Sequence, residues 1–190
     1  TDGLCGVAQR GSAAPGRVVR VTPSPRRVAF EVLRRIDEQG AYANLALGPA
    51  LDRSGLDTRD RHQATDLVYG TTRMRRAVDV LVDRFIAQPP DPSTRTLLRL
   101  GAYQLAYTQT PPHAAVSETV GLAPRRTRAF VNAILRKVAV SPLDTVRWPS
   151  EWARLSYPDW IGERLAAELG GDDARAALEI MNLPASVTTR

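Results

Sequence analysis

Cysteine is nearly absent: Cys5 is the only one in 190 residues. That excludes an internal disulfide and a Cys-rich zinc site. Cys5 also sits in a loose N-terminal stretch, where nothing would fix or activate a thiolate. Histidine is almost as scarce, and His62 and His113 lack metal-ligand spacing. Aromatic residues make up only 6% of the chain, so few side chains could stack on bases. No hydrophobic run approaches the ~18 apolar residues of a membrane helix. The first residues lack the apolar run of a secretory signal. There is no Walker phosphate loop and no GxGxxG turn after a strand. A soluble cytoplasmic protein with no metal and no membrane partner is expected.

Lysine is missing too: of 26 basic residues, only Lys137 is not arginine. A GC-rich genome favours arginine codons and accounts for most of that preference. The location of the charge therefore carries the argument, more than its chemistry. The chain is +6 overall, but residues 151–190 hold seven acids against four arginines, a net of −3 that leaves +9 on residues 1–150. Such asymmetry points to two units with different tasks. The 43% hydrophobic content is enough for one core.

Helical periodicity dominates, and no segment alternates with period 2, so the expected fold class is all-α. Residues 1–24 are rich in Gly, Ala, Ser, Pro and Arg and read as a disordered basic arm. A first helix is expected from Pro25, burying Val28, Ala29, Val32, Leu33 and Ile36 and stopping at Gly40. A short helix follows Asn44, anchored by Leu45, Leu47 and Leu51. Asp57 resembles an N-cap, and the helical pattern beyond it runs towards Ala87 with a break near Gly70. Ser93 or Thr94 is placed to cap the next helix, whose Gly101 marks a close helix–helix crossing. Tyr69 and Tyr103 read as core residues. After Pro111-Pro112 comes a helix from His113 to about Leu122. Residues 141–150 read as a linker, followed by a helix from Pro158 to about Leu169. A last helix is expected to be capped by Asp172 or Asp173, with Ala176, Ala177 and Ile180 apolar. The β-prone run Ser186–Arg190 then stops, as though cut at the threshold of a further domain.

The stretch Pro124–Val138 is the most informative. Val131, Ile134, Leu135 and Val138 fall at i, i+3, i+4 and i+7, one helical stripe. Arg125, Arg126 and Arg128 crowd the entrance of that helix, and Arg136 and Lys137 lie near its end. A buried stripe with a basic rim suits a rigid domain that meets a polyanion. Catalysis needs convergent groups, and these are lacking. Ser117 and His113 share i, i+4 spacing, but such pairs are common by chance, and His113 fits a helix start. Asn132 is expected to bond a neighbouring loop from a half-buried position.

Several motifs in order carry a resemblance. They are Arg26-Arg-Val-Ala29, Asp60-Arg61, Leu67-Val-Tyr-Gly-Thr-Thr-Arg73, Leu98-Arg-Leu-Gly-Ala-Tyr-Gln-Leu105, Pro112-His-Ala-Ala-Val-Ser-Glu118 and Phe130-Val-Asn-Ala-Ile-Leu-Arg136. Over about residues 25–140 the chain resembles the NusB-like N-terminal domain of the bacterial 16S rRNA (cytosine-C5) methyltransferase B family, the Sun/Fmu group. Its tail, from Ser156-Tyr-Pro-Asp-Trp160 onward, resembles the linker into that family's catalytic domain. The segment Gly121–Arg128 departs from the family pattern, being shorter and carrying Pro124 where helix often continues.

The resemblance implies a NusB-like antiparallel helical bundle over 25–140. It implies that 141–190 form a linker and the helical start of a methyltransferase domain. It further implies a parent enzyme that moves a methyl group from S-adenosylmethionine to cytosine C5 of 16S rRNA, with cysteines of a C-terminal Rossmann-like domain doing the chemistry. No catalytic, cofactor or metal residue carries over, so this chain alone is expected to be inactive. Its expected partners are 16S ribosomal RNA and its own C-terminal methyltransferase domain. The candidate RNA contacts are Arg26, Arg27, Arg73, Arg75, Arg76, Arg125, Arg126 and Arg128. The alternatives are a NusB-type antitermination factor binding RNA with a ribosomal protein, and a scaffold that only packs against the catalytic domain.

Overall fold

The computed structural model describes residues 24–183. The basic arm, Cys5 and the β-prone run Ser186–Arg190 lie outside the described residues. Among the described residues there are ten α-helices, one 3-10 turn and no strand.

Helix α1 (Pro25–Gln39) starts with Pro25 in its first turn, where a missing N–H costs nothing. It ends at Gly40, whose φ of 66° lets the backbone turn back while Ala41 N–H bonds the Arg35 carbonyl at 3.3 Å. Helix α2 (Ala43–Ser54) buries Leu47 and Leu51. Leu45 points outward, 68% exposed, and is no anchor. The Asp57 carboxylate caps α3 (Thr58–Arg73) by accepting from Asp60 N–H at 2.8 Å.

The break expected near Gly70 falls at Met74, before α4 (Arg75–Asp83). Gly70 stays helical because it faces the ring of Tyr103, and a Cβ there would collide with the phenol. That hydroxyl bonds Asp66 at 3.2 Å. Tyr103 is buried as expected, whereas Tyr69 is 38% exposed. Gly70→Ala is therefore expected to destabilise by about 1–2 kcal/mol, the overpacking cost exceeding the gain in helix propensity. Urea denaturation checks this, and a more stable variant would contradict it.

Helix α5 (Pro92–Tyr107) is the axis of the bundle. Its cap is Asp91, not Ser93 or Thr94: Pro92 takes the first helical position, and Asp91 accepts from Thr94 N–H at 3.1 Å and Thr94 Oγ1 at 2.7 Å. Leu97, Leu98, Leu100, Gly101 and Ala102 are all buried, because α1, α3, α4, α6 (Pro112–Leu122) and α7 (Arg125–Ala139) surround this helix. Helix α1 runs antiparallel to α5, pairing Asp37 with Thr96 and Arg26 with Gln104. Helix α7 runs parallel to it, and Gly101 permits their close approach: a Cβ there would lie 2.5 Å from Leu135 Cδ1.

Beyond the 3-10 turn Leu143–Thr145, three short helices pack together: α8 (Glu151–Arg154), α9 (Asp159–Leu169) and α10 (Gly171–Met181). Gly170 precedes α10, so Asp172 and Asp173 sit inside its first turn and do not cap it. Its buried residues are Ala174 and Leu178, and Ile180 is 67% exposed. Among the described residues, no helix is long and apolar enough to cross a membrane.

Candidate nucleic-acid interface

Helix α7 turns one apolar stripe inward: Val131, Ile134, Leu135 and Val138 are buried. Everything basic on it consequently faces out, and Arg125, Arg126, Arg128, Arg136 and Lys137 are all exposed. Its first turn holds no acidic residue, and Pro124 precedes it without a side-chain cap. Cations at a helix N-terminus oppose the macrodipole, costing tenths of a kcal/mol. Such a local violation is typical of a surface kept for binding.

The eight candidate arginines do not form one patch. Arg125, Arg126 and Arg128 stay together at the α7 entrance, with Arg128 Nη2 donating to the Ala123 carbonyl at 3.2 Å. Arg126 lies close enough to Asp91 that, after the Thr94 hydrogen bond, its charge helps hold the Asp91 carboxyl below the usual carboxylate range. Arg26 and Arg27 open α1 instead. Arg26 Nε donates to the buried Gln104 Oε1 at 2.6 Å. Gln104 lies more than three turns beyond Asp91, about 20 Å along α5. Arg27 is exposed.

The remaining three arginines are engaged inside the molecule. Arg73 donates to the Asn182 carbonyl at 3.1 Å. Arg75 pairs with Asp37 at 3.3 Å. Arg76 forks onto Asp159, at 3.1 and 2.6 Å, and also donates to the Tyr157 carbonyl. Ser156 completes this clasp. With φ at 66°, its hydroxyl accepts from Arg76 N–H at 3.0 Å and Ala77 N–H at 3.3 Å, capping α4 from 80 residues away. Among the described residues, none of Arg27, Arg125, Arg126, Arg128, Arg136 and Lys137 is paired with a carboxylate. Asn132 is half-buried as expected, but its Oδ1 accepts from Arg136 Nε at 3.2 Å on its own helix, not from a loop.

The clasp gives a pH dependence. Hydrogen bonds from Arg76, then from Ser150, hold the Asp159 carboxyl below its ordinary value. A depressed carboxylate pKa favours the docked state above the free-acid value, and that advantage vanishes as pH falls through the depressed one. Trp152 and Trp160 belong to this C-terminal unit, and the third tryptophan, Trp148, precedes it and packs against the bundle core. Tryptophan emission is thus expected to change below about pH 4 before far-UV circular dichroism reports loss of the bundle. Coincident transitions would contradict this order.

Sequence reading missed a second charge network. Arg99 Nε and Nη2 each donate to Asp79 at 2.8 Å, and its Nη1 donates to Asp37 at 2.9 Å. Arg95 pairs with Asp79 at 3.7 Å and, more closely, with Asp83. A signal was present: Asp79 and Asp83, and likewise Arg95 and Arg99, stand four residues apart on facing helices.

The comparisons bear on the family and the fold. The sequence model of the NusB family matches residues 23–140. The chain is 41% identical to ribosomal RNA small subunit methyltransferase B of Thermus thermophilus, over 74% of this chain and 34% of that protein. It is 31% identical to the Pseudomonas putida protein of the same name, over 76% of this chain and 35% of the relative. A Mycobacterium tuberculosis protein named as a methyltransferase is 36% identical over 86% of this chain and 42% of its own length. The chain thus spans about two fifths or less of these relatives. Thermotoga maritima NusB superposes with a TM-score of 0.54 at 19% identity, covering 60% of this chain and 87% of that one, a likeness of fold. Helical bundle, ordered motifs and family match converge, and the chain belongs to the NusB family.

Proposed function

We propose that this chain is the RNA-docking module of an S-adenosylmethionine-dependent 16S rRNA cytosine-C5 methyltransferase. In this reading the bundle grips rRNA through phosphate contacts, and a Rossmann-like domain following residues 141–190 holds cofactor and target base. The observation that carries it is the basic face of α7, whose cations stay exposed and lack carboxylate partners while Arg75 and Arg76 are neutralised nearby. Cations free to meet phosphates release condensed counterions, which drives binding without reading sequence. Aromatic residues are few, so base stacking contributes little. The relatives' names support the methyltransferase setting, and their matches extend past the bundle.

The clasp adds a positioning role. Arg73, Arg76 and Ser156 hold the α8–α10 unit against α3 and α4. A domain joined there would keep a defined orientation to RNA held on α7. Binding and orientation of the substrate are this chain's contribution. The methyl group and the cysteine nucleophile would come from the other domain, and no residue here is assigned to either.

Titration of the chain with a labelled 16S rRNA fragment at two salt concentrations tests the reading. Affinity should fall steeply with added salt. No binding at low salt, or an affinity indifferent to salt, would overturn it.

A further inference from the structure

We propose that the groove between α6 and α7 is a track for a single strand of RNA. The inference rests on the RNA-docking reading and narrows it to one surface. The groove has a volume of about 950 Å³. Its α7 wall carries Arg128, Asn132 and Arg136, and its α6 wall carries His113 and Ser117. Between them lie Val116 and Val120, and no carboxylate lines the groove.

The spacing on α7 fits a linear polyanion. Arg125, Arg128, Asn132 and Arg136 stand at i, i+3, i+7 and i+11, one face of the helix about 16 Å long. The core stripe of Val131, Ile134, Leu135 and Val138 occupies another face. The basic row therefore continues from the exposed entrance arginines straight into the groove. Asn132 Oδ1 accepts from Arg136 Nε at 3.2 Å, which orients the guanidinium along this row. Phosphates lie along α7, and sugars and base faces lie over Val116 and Val120. The groove holds no Phe, Tyr or Trp, and His113 is its one stacking surface, so it distinguishes a strand mainly by charge and width and tolerates many sequences. A protein helix would need a deep apolar floor for its anchoring side chains. Here Pro112, Val116, Val120, Ala139 and Val140 offer only small side chains, with no deep pocket for a large anchor, beside a row of cations.

Photo-cross-linking of the wild-type chain to a 4-thiouridine-substituted single strand of about twelve nucleotides locates the track. Adducts are expected within residues 112–121 and 128–140. In anisotropy titrations, Arg128→Glu with Arg136→Glu should weaken binding about tenfold or more at low salt. Charge reversal at the exposed Arg53 and Arg59, on α2 and α3, should change it about twofold or less. Arg136→Glu alone, which breaks only the Asn132 contact, keeps the test open if the double variant fails to fold. Adducts confined to other surfaces would overturn the track. So would equal affinity of the groove variant, tighter binding of a duplex, or full competition by polyglutamate at equal charge. In those cases salt-dependent wild-type binding would leave the docking reading standing. Absence of wild-type binding would remove both.

Discussion

Replacing Arg99 with methionine is expected to lower the unfolding free energy by about 3 kcal/mol. Arg99 has 12% of its side chain exposed and bridges Asp37, 10% exposed, and Asp79, 25% exposed. Burial pulls its pKa down, but the hydrogen bonds and charges of Asp79 and Asp37 outweigh that and leave it raised. Methionine keeps most of the volume and removes the charge. Asp37 and Asp79 then lose their shared cation, and each keeps only a single, more distant cationic partner, Arg75 at 3.3 Å and Arg95 at 3.7 Å. Those remaining partners place the loss at the lower end of the range for broken buried pairs. In a domain of this size the loss lowers Tm by roughly 10 °C. Arg99→Lys should recover only part of it, since one ammonium cannot fork onto Asp79 and also reach Asp37. Adding Asp37→Asn to Arg99→Met should recover some stability by removing a charge that half-exposed Arg75 alone compensates only in part. Thermal melts of the three variants check the order, and a methionine variant as stable as wild type would contradict it.

The second large effect concerns binding. Charge reversal at Arg125, Arg126 and Arg128 together is expected to weaken affinity for single-stranded rRNA about 100-fold at about 50 mM salt. These side chains are exposed at the entrance of one helix and add their fields at one point on the surface. Removing a phosphate contact removes one counterion-release increment, and the increments multiply. The fold should survive. Only Arg128 makes a described hydrogen bond, to Ala123, and acids near a helix N-terminus favour the macrodipole. The gain at the dipole is offset by a like charge placed near Asp91, so the triple variant is expected to melt close to the wild-type temperature while losing RNA. Unchanged affinity would place the docking surface elsewhere.

How far the sequence could be read depended on the range of the interaction. The stripes of α1 and α7 are local periodicities, and they placed those helices to within a residue or two. Asp57 and Gly40 are local signals as well, and both act as expected. Errors arose where a tertiary partner decided. Gly70 has the appearance of a helix break, but its role is to admit Tyr103 from α5. Leu45 and Ile180 look like core residues, but their helices turn them outward. Asp91 was overlooked as a cap because Ser93 and Thr94 are also good caps, and Pro92 decides between them.

The candidate site divides in the same way. The α7 cluster was legible because its arginines are neighbours in sequence. Arg76 looks equally free in sequence, but its partner Asp159 is 83 residues away and arrives with a different helical unit. Arg75 likewise meets Asp37 of α1. No local pattern encodes either meeting, so binding candidates and structural clasps read alike until the chain is folded.

On the proposed reading the α7 arginines serve RNA, whereas Arg73, Arg75 and Arg76 are engaged within the fold. One paired measurement tests it most directly. Two triple glutamine variants, Arg125/Arg126/Arg128 and Arg73/Arg75/Arg76, are compared for the slope of log affinity against log salt with rRNA, and for tryptophan emission. The first set should flatten the slope by about 2 while leaving emission unchanged. The second should shift the emission, as α8–α10 loosen, with the slope nearly that of wild type. The reverse pattern, with the α3–α4 set flattening the slope and the α7 set leaving it intact, would contradict the account.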